Sequence, residues 1–311
     1  MGGAPGASRW IAVDWGTSNV RVWGIGDSGE VVLARSADRG MARLAPADYP
    51  EVLTGLLAAV ETAQTGATEV LVCGMAGARQ GWREAPYLEA PAALGGLLAA
   101  AVRPDVGGRP LDVRILPGIC QKTPGAEDVM RGEETQLLGL LALRPGFAGT
   151  VCMPGTHSKW VEIEGGRVKR FATAMTGELY EAIGTHTVVR HALDGERTGP
   201  ATEDGIEVGL GAGLAAPELL SSLLFRTRAA ALLSERGPDW CSGYLSGLLV
   251  GTEVAGHRDW LGSTPVPLIG SPRLCRLYGA AVAKAGGRSE TIDATEATIA
   301  GLKAARSQGA A

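Results

Sequence analysis

Asp14, Gly16, Thr17, Ser18 and Asn19 lie between two apolar runs, residues 10–13 and 20–23. A polar segment joining two β-rich runs is a hairpin turn. Gly16 followed by Thr17, Ser18 and Asn19 can aim backbone N–H groups and hydroxyls at one anion, as phosphate-holding nests do. Asp14, at the end of the first run, can hold a magnesium ion beside that phosphate, directly or through water. The plain alternative is a polar hairpin with no ligand. Against it stands a second copy, an apolar strand over residues 150–153, then Gly155, Thr156, His157, Ser158 and Lys159, then a strand over 160–163 and a glycine turn. Two such hairpins, one opening each half, describe two related lobes that grip a nucleotide's phosphates from both sides.

The elements that must place these groups follow from periodicity. Residues 30–36 read as a third strand, and Pro46 marks a turn into a helix over 49–64, where Val52, Leu53, Leu56, Leu57 and Val60 recur at helical spacing. A buried strand over 69–73 runs into the loop 74–83, followed by a helix over 92–102 and a strand over 113–116. The order β-β-β-α-β-α-β implies a mixed sheet covered by helices. Glu133 and Glu134, with Leu137, Leu138 and Leu140 behind them and Pro145 beyond, read as the first turn of a helix that faces solvent or a cleft and connects the lobes. N-terminal capping alone also accounts for the two glutamates. The second half repeats the three-strand opening through residue 174, becomes helical over 178–189, 205–233 and 244–255, and returns to strand at 266–269. Gly270, Ser271 and Pro272 then lead into a helix over 273–284. That unit suits an adenine or ribose, or is simply an α/β turn with proline near the first helical turn. A short strand and helix over 290–307 close the chain.

The totals exclude other classes. The 311 residues, 45% of them hydrophobic, suit two lobes better than one core. A net charge of −4 provides no cationic surface for nucleic acid. No apolar run approaches the roughly 18 residues of a membrane span. The cysteines, Cys73, Cys120, Cys152, Cys241 and Cys275, are widely spaced and form no Cys-x-x-Cys pair, which describes small buried hydrophobes in a reducing compartment. Residues 1–8 read as a flexible tail without a signal pattern. The expectation is a cytoplasmic protein with no nucleic-acid or membrane partner, and a homodimer is left open. His157, His186, His191 and His257 make no close metal pair. The string Gly24-Ile25-Gly26-Asp27-Ser28-Gly29 matches G-x-G-x-x-G but has a strand on each side, so it reads as a hairpin turn. Gly209, Gly211 and Gly213 interrupt a helical region and read as sites of close packing.

Taken together, the two hairpins, the acidic helix and the late glycine turn resemble the sugar kinase, hexokinase, actin and heat-shock chaperone ATPase superfamily. The stretches DWGTSNVRVW, CGMAGARQGWREAPYL, DVMRGEETQLLGLL, MPGTHSKWV, TAMTGELY and IGSPRLCRLYGAAV are similar to the 2-dehydro-3-deoxygalactonokinase family over essentially the whole chain. The resemblance implies an α/β fold of two ribonuclease H-like lobes, residues 8–143 and 144–311, each a mixed sheet flanked by helices, with an interlobe cleft. It implies ATP-dependent phosphorylation of 2-dehydro-3-deoxy-D-galactonate at its terminal 6-hydroxyl, in galactonate breakdown, with ATP and Mg2+ as cofactors.

On this chain the resemblance makes Asp14, Gly16, Thr17, Ser18 and Asn19 the first phosphate loop, with Asp14 towards the metal. Gly155, Thr156, His157, Ser158 and Lys159 become the second loop, and Gly270 and Ser271 fall in the adenosine loop. Related sugar kinases place an aspartate base at the start of the connecting helix. Here Glu133 and Glu134 stand there and Asp128 lies a few residues earlier; Glu133 is favoured as the base, with Asp128 or Glu134 the alternatives. A sugar-acid carboxylate suits a guanidinium, which can donate two parallel hydrogen bonds. Arg79 and Arg83, with Gln80 in the same loop, are the expected partners, and a solvated arginine is the other reading. Since fold alone does not set function, a kinase for another sugar or sugar acid, or a non-catalytic ATP-binding regulatory protein, is the alternative.

Overall fold

The computed structural model describes residues 8–58, 66–194 and 200–308. Where the resemblance implied lobes of 8–143 and 144–311, contacts group Met1–Phe147 with Glu164–Arg170 and Ala294–Ala311, and Ala148–Ile163 with Phe171–Asp293.

The first unit opens with β1 (Trp10–Trp15) and β2 (Val20–Ile25), whose antiparallel register sets Asp14 opposite Arg21. Gly26 to Glu30 form a tight turn, with the Gly26 N–H donating to the Glu30 carbonyl at 2.9 Å, into β3 (Val31–Ala37). The glycine string is therefore a hairpin turn, as expected. α1 (Tyr49–Leu57) buries Tyr49 and Leu53; the expected continuation to residue 64 falls largely on 59–65, outside the described residues. β4 (Thr68–Gly74) lies parallel to β1 and sets Gly74 beside Trp15. Buried on both faces, β1 and β4 read as nearly unbroken apolar runs rather than alternating ones.

Next come β5 (Tyr87–Glu89), β6 (Ala92–Ala93), β7 (Leu111–Ile115), β8 (Gly118–Gln121), β9 (Asp128–Met130) and α2 (Glu133–Leu143). The sheet order is β3-β2-β1-β4-β7, with β5-β8-β9 as a smaller sheet. The helix expected over residues 92–102 is not there: β6 is followed by short 3-10 turns at Leu94–Gly96 and Leu98–Ala100. Leu94 and Leu97, both fully buried, are three apart, a spacing that a 3-10 turn places on one side as well as an α-helix does. Gly95 and Gly96 each cost an α-helix about 1 kcal/mol, which tips the balance.

The second unit repeats the opening. β10 (Gly149–Met153) pairs antiparallel with β11 (Ser158–Glu164), β12 (Arg167–Ala174) follows, and β10 also pairs in parallel with a later strand. Helices α3 (Thr176–His186), α4 (Pro200–Ala215), α5 (Leu220–Leu233) and α6 (Pro238–Gly256) come between. The helical stretch expected over 205–233 is broken ahead of Pro217, which heads a 3-10 turn between α4 and α5. Then come β13 (Val266–Gly270), the parallel partner of β10, α7 (Pro272–Lys284) and β14 (Ser289–Asp293). The run β12-β11-β10-β13-β14 matches β3-β2-β1-β4-β7 strand for strand.

α8 (Ala294–Gln308) groups with the first unit, where it packs on α2. A Cβ on Gly139 would stand 1.8 Å from the Ala297 carbonyl oxygen, and one on Gly301 would stand 1.9 Å from that of Thr135. Among the described residues no single helix is long and apolar enough to cross a membrane; α4 with residues 217–233 passes on length and composition but bends by 108°.

Candidate active site

In the first unit the chemistry gathers where β1 and β4 end, the edge at which open α/β sheets take ligands. The turn after β1 is held by its carbonyls. The Gly16 N–H donates to the Asn19 carbonyl at 2.8 Å, while the carbonyls of Gly16, Thr17 and Ser18 accept from Met41, Ala42 and Gly40 at 2.9 to 3.0 Å. Gly40 is needed for that approach, since a Cβ there would stand 2.3 Å from the Thr17 carbonyl oxygen. With its carbonyls tied back, the turn exposes Thr17, Ser18 and Asn19. Among the described residues their N–H groups take no backbone acceptor in a turn or loop. That is the polarity an anion requires.

Asp14 is half-buried beneath this turn. Its Oδ2 accepts from Arg21 Nη2 at 2.5 Å, and its Oδ1 lies 3.9 Å from the Cys73 Sγ. Arg21 also donates to the Thr295 hydroxyl at 3.3 Å. Arg21 was not anticipated, although the hairpin register alone puts it across from Asp14. The Asp14 carboxylate is a fitting donor for magnesium, which binds through one or two carboxylates together with phosphate oxygens. Among the described residues no three His, Cys, Asp or Glu side chains cluster as a metal cage.

The N-terminus of α2 reaches the same region. Gly132 takes φ +107°, a conformation that other L-residues rarely adopt, and a Cβ there would stand 3.4 Å from the Gly74 Cα. Glu133 is half-buried, and its Oε2 accepts from the Arg131 N–H at 3.0 Å. Glu134 is completely buried: its Oε2 accepts from the Gly132 N–H at 2.7 Å and its Oε1 from the Thr135 hydroxyl at 3.1 Å. Burial first, and then the neighbouring Asp14 and Glu134 carboxylates, push the Cys73 thiol well above its ordinary value. Asp128 lies apart on β9, half-buried, with its Oδ1 accepting from the Val129 N–H at 2.7 Å.

Burial, with the Glu133 charge adding to it, pushes the Glu134 carboxyl up to about 8. The folded chain thus binds a proton that the unfolded chain gives up near the ordinary glutamate value. The associated stability is complete below that value and is lost as pH rises through about 8. Thermal unfolding of the wild type is therefore expected to move to lower temperature between pH 6 and pH 9. Glu134→Gln, shaped like the protonated acid, should remove on the order of 1–3 kcal/mol of that decline, or roughly 3–6 °C. Parallel slopes for the two proteins would mean that Glu134 ionises normally.

The loop between β4 and β5 is tied to itself by backbone bonds, Arg83 N–H to the Ala76 carbonyl at 3.2 Å and Ala85 N–H to that of Gly77 at 3.0 Å. Its Trp82 is buried against Tyr49, with ring centroids 5.7 Å apart. Arg79, Gln80 and Arg83 all point outward from it; Arg79 Nε lies 3.6 Å from Glu84 and is 81% exposed, so a ligand could reach it.

The second turn, like the first, opens on a glycine, exposes the residues after it and has a carbonyl tied back by a later segment. Gly155 is half-buried and Thr156 and His157 are exposed. The Thr156 carbonyl accepts from the Glu178 N–H at 3.1 Å, and His157 Nε2 meets Glu178 Oε2 at 2.5 Å. Gly177 allows α3 this close, since a Cβ there would stand 2.7 Å from the Gly155 carbonyl oxygen. Ser158 and Lys159 turn inward. Ser158 Oγ lies 2.7 Å from the Tyr278 hydroxyl, and Lys159 Nζ donates to Thr173 at 2.9 Å. Gly270 ends β13 beside this turn, where a Cβ would stand 2.9 Å from the Pro154 carbonyl oxygen. Ser271 caps α7, accepting from the Leu274 N–H at 3.4 Å.

Beside this turn opens a cavity of about 470 Å³, the size of a small-molecule site. Gly155 and Thr156 border it on one side, Thr176, Gly177 and Tyr180 of α3 on the next, and Ser242, Ser246 and Leu249 of α6 opposite. Arg273, Leu274 and Tyr278 of α7 complete it. A mostly apolar cavity bordered by an exposed Gly-Thr turn has the layout of a nucleotide site. Of its walls, the α6 residues escaped notice in the sequence and those of α3 stood out only within the stretch TAMTGELY, since nothing marks helices so far apart as neighbours.

Two α/β units of one strand order, each opening on a phosphate-type hairpin, define the sugar kinase, actin and heat-shock chaperone ATPase class of proteins. The family model for 2-keto-3-deoxy-galactonokinase matches residues 14–305, and the chain belongs to that family. It is 43% identical over 301 residues to the probable 2-dehydro-3-deoxygalactonokinase DgoK1 of Rhizobium meliloti, covering 96% of this chain and 97% of that one. It is 36% identical to the 2-dehydro-3-deoxygalactonokinase of Escherichia coli, covering 82% of each. A Sinorhizobium meliloti crystal structure of a candidate 2-dehydro-3-deoxygalactonokinase superimposes with a TM-score of 0.87 at 43% identity, covering 96% of this chain and 95% of that one. The chain is accordingly an ATP-dependent phosphotransferase acting on a sugar acid.

Proposed function

We propose that this chain transfers the γ-phosphoryl group of ATP to the terminal 6-hydroxyl of 2-dehydro-3-deoxy-D-galactonate, giving the 6-phosphate. The observation that carries this reading is the family match over residues 14–305, which spans both hairpin turns and α2. Thr17, Ser18 and Asn19 would make the first turn a phosphate-holding element through their backbone N–H groups, and Thr156 and His157 would do the same in the second turn, with Gly16 and Gly155 shaping the turns and Ser158 and Lys159 bracing the second. The cavity beside Gly270 and Ser271 would take the nucleoside. Magnesium, when bound, neutralises phosphate charge, and Asp14 would hold it, with Arg21 setting the carboxylate's direction. Phosphoryl transfer is mostly positioning and charge neutralisation, so these groups would supply most of the rate.

Glu133 would accept the proton of the attacking hydroxyl, the step that requires a carboxylate within hydrogen-bond reach. Asp128 and Glu134 are the other carboxylates near the start of α2. Arg79 and Arg83, aided by Gln80, would hold the sugar acid's carboxylate. All five cysteines are free and buried, which supports a cytoplasmic setting.

Measuring ADP release with a panel of sugar acids and neutral sugars tests the reading. The expected result is turnover with 2-dehydro-3-deoxy-D-galactonate well above every other acceptor. Turnover on neutral sugars alone would make it a different sugar kinase, and none on any acceptor would favour a regulatory ATP-binding protein.

A further inference from the structure

α6 carries one acidic side chain deep in an apolar stretch. Glu253 is 7% exposed, a placement a carboxylate tolerates only when hydrogen-bonded. Three donors reach it: Trp160 Nε1 at 2.8 Å, the Tyr278 hydroxyl at 2.6 Å and the Thr176 hydroxyl. Those donors come from β11, α7 and α3. With its single hydrogen given to Glu253, the Tyr278 hydroxyl can only accept from Ser158, so Ser158 is the donor in their 2.7 Å contact. Burial first, and then the Glu253 charge, push the Tyr278 hydroxyl well above its ordinary value, so it keeps the hydrogen it donates.

Glu253 thus grips the second turn from both sides. On one side it fixes Ser158, the residue with which the turn enters β11, through Tyr278. On the other it fixes Thr176, the first residue of α3, whose next residue Gly177 is packed on Gly155 and Thr156. Thr176 and Tyr278 both line the cavity. Glu253 itself does not, so it touches the ligand only through them.

We propose that Glu253 is a positioning residue for nucleotide binding, the buried acceptor that sets the second turn and the cavity wall in their binding geometry. The proposal rests on the reading of that cavity as the nucleoside site. Three donors are more than a glutamine can accept with the same polarity. In Glu253→Gln the amide must face either the Trp160 N–H, which cannot accept, or the Thr176 and Tyr278 hydroxyls, which must then reverse. Reversal turns Tyr278 into a donor to Ser158 and frees the Ser158 hydrogen.

The test is calorimetric titration of MgATP into the wild type, Glu253→Gln and Tyr278→Phe, with thermal melts of each and steady-state kinetics for both substrates. Glu253→Gln is expected to raise the Kd and KM for MgATP about tenfold or more. Its kcat at saturating ATP and its KM for the sugar acid should stay within about threefold of wild type, a split that general loosening of the core would not produce. Tyr278→Phe, which deletes one oxygen and keeps the core volume, should raise the Kd in the same direction and decides the matter if Glu253→Gln does not fold. Normal nucleotide binding by the wild type and by every folded variant, within twofold, overturns the role of Glu253 alone. Absence of any MgATP binding by the wild type overturns the reading of the cavity, and this proposal with it.

Discussion

Glu133→Gln is expected to lower kcat by roughly 10²–10⁴-fold, the range for loss of a general base, while MgATP binds as in the wild type. Glutamine keeps the side chain's size and an oxygen to accept the 3.0 Å bond from the Arg131 N–H. The start of α2 is thereby preserved, and only the capacity to take a proton is lost. The same change removes the charge that helps hold the Glu134 proton, so the pH-dependent loss of stability described above should move to lower pH. Stopped-flow or coupled turnover assays with parallel nucleotide titrations decide it. Turnover within a few-fold of wild type would transfer the base to Asp128, which is half-buried, before Glu134, which is withdrawn from solvent.

Gly247→Ala should cost about 3 kcal/mol or more, above the usual range for an overpacked methyl group. α4 and α6 meet through glycines on both helices: Gly205, Gly209 and Gly213 on one, Gly243, Gly247 and Gly251 on the other. A Cβ at Gly247 would stand 2.3 Å from the Ile206 carbonyl oxygen, and one at Gly209 2.2 Å from that of Tyr244. Neither obstacle is a side chain that could swing away; the helices themselves would have to separate. The control lies on the same helix. A Cβ at Gly211 would meet nothing within 4 Å, so Gly211→Ala should be neutral or stabilise by up to about 1 kcal/mol, as the gain in helix propensity predicts. Denaturant melts of the two variants are expected to shift in opposite directions from wild type. Similar shifts for both would mean that the contact between α4 and α6 yields more readily than its geometry suggests.

The expectation that Gly209 and Gly213 serve close packing is met, while Gly211 between them is open to solvent. One helical turn separates the first two, and the sequence shows that spacing. It does not show that α6 carries the matching set. The same limit applied at residues 92–102, where an alanine- and leucine-rich run has helical composition but takes 3-10 turns. Composition reports average preference, and two adjacent glycines together with the burial of Leu94 and Leu97 outweigh it.

Both hairpins were legible because a hairpin is a local object. An apolar run, a polar turn with glycine and a second apolar run specify it within about a dozen residues, and the repeat of that pattern disclosed two related units. The family was legible for the same reason, since its motifs are short and follow one order. The settings of the acids were not. Glu133 and Glu134 are neighbours in sequence with the same side chain, yet one is half-exposed and the other is sealed and holds its proton to about pH 8. The return of α8 to the first unit and the meeting of Thr176, Trp160, Glu253 and Tyr278 likewise depend on contacts between residues 25 to 162 positions apart. Local pattern determines which strands and turns form, because their energies are settled among near neighbours. Which carboxylate is dry, which is half-exposed and which is held by three donors is decided only when distant elements close around them, because desolvation is a property of the whole surrounding volume.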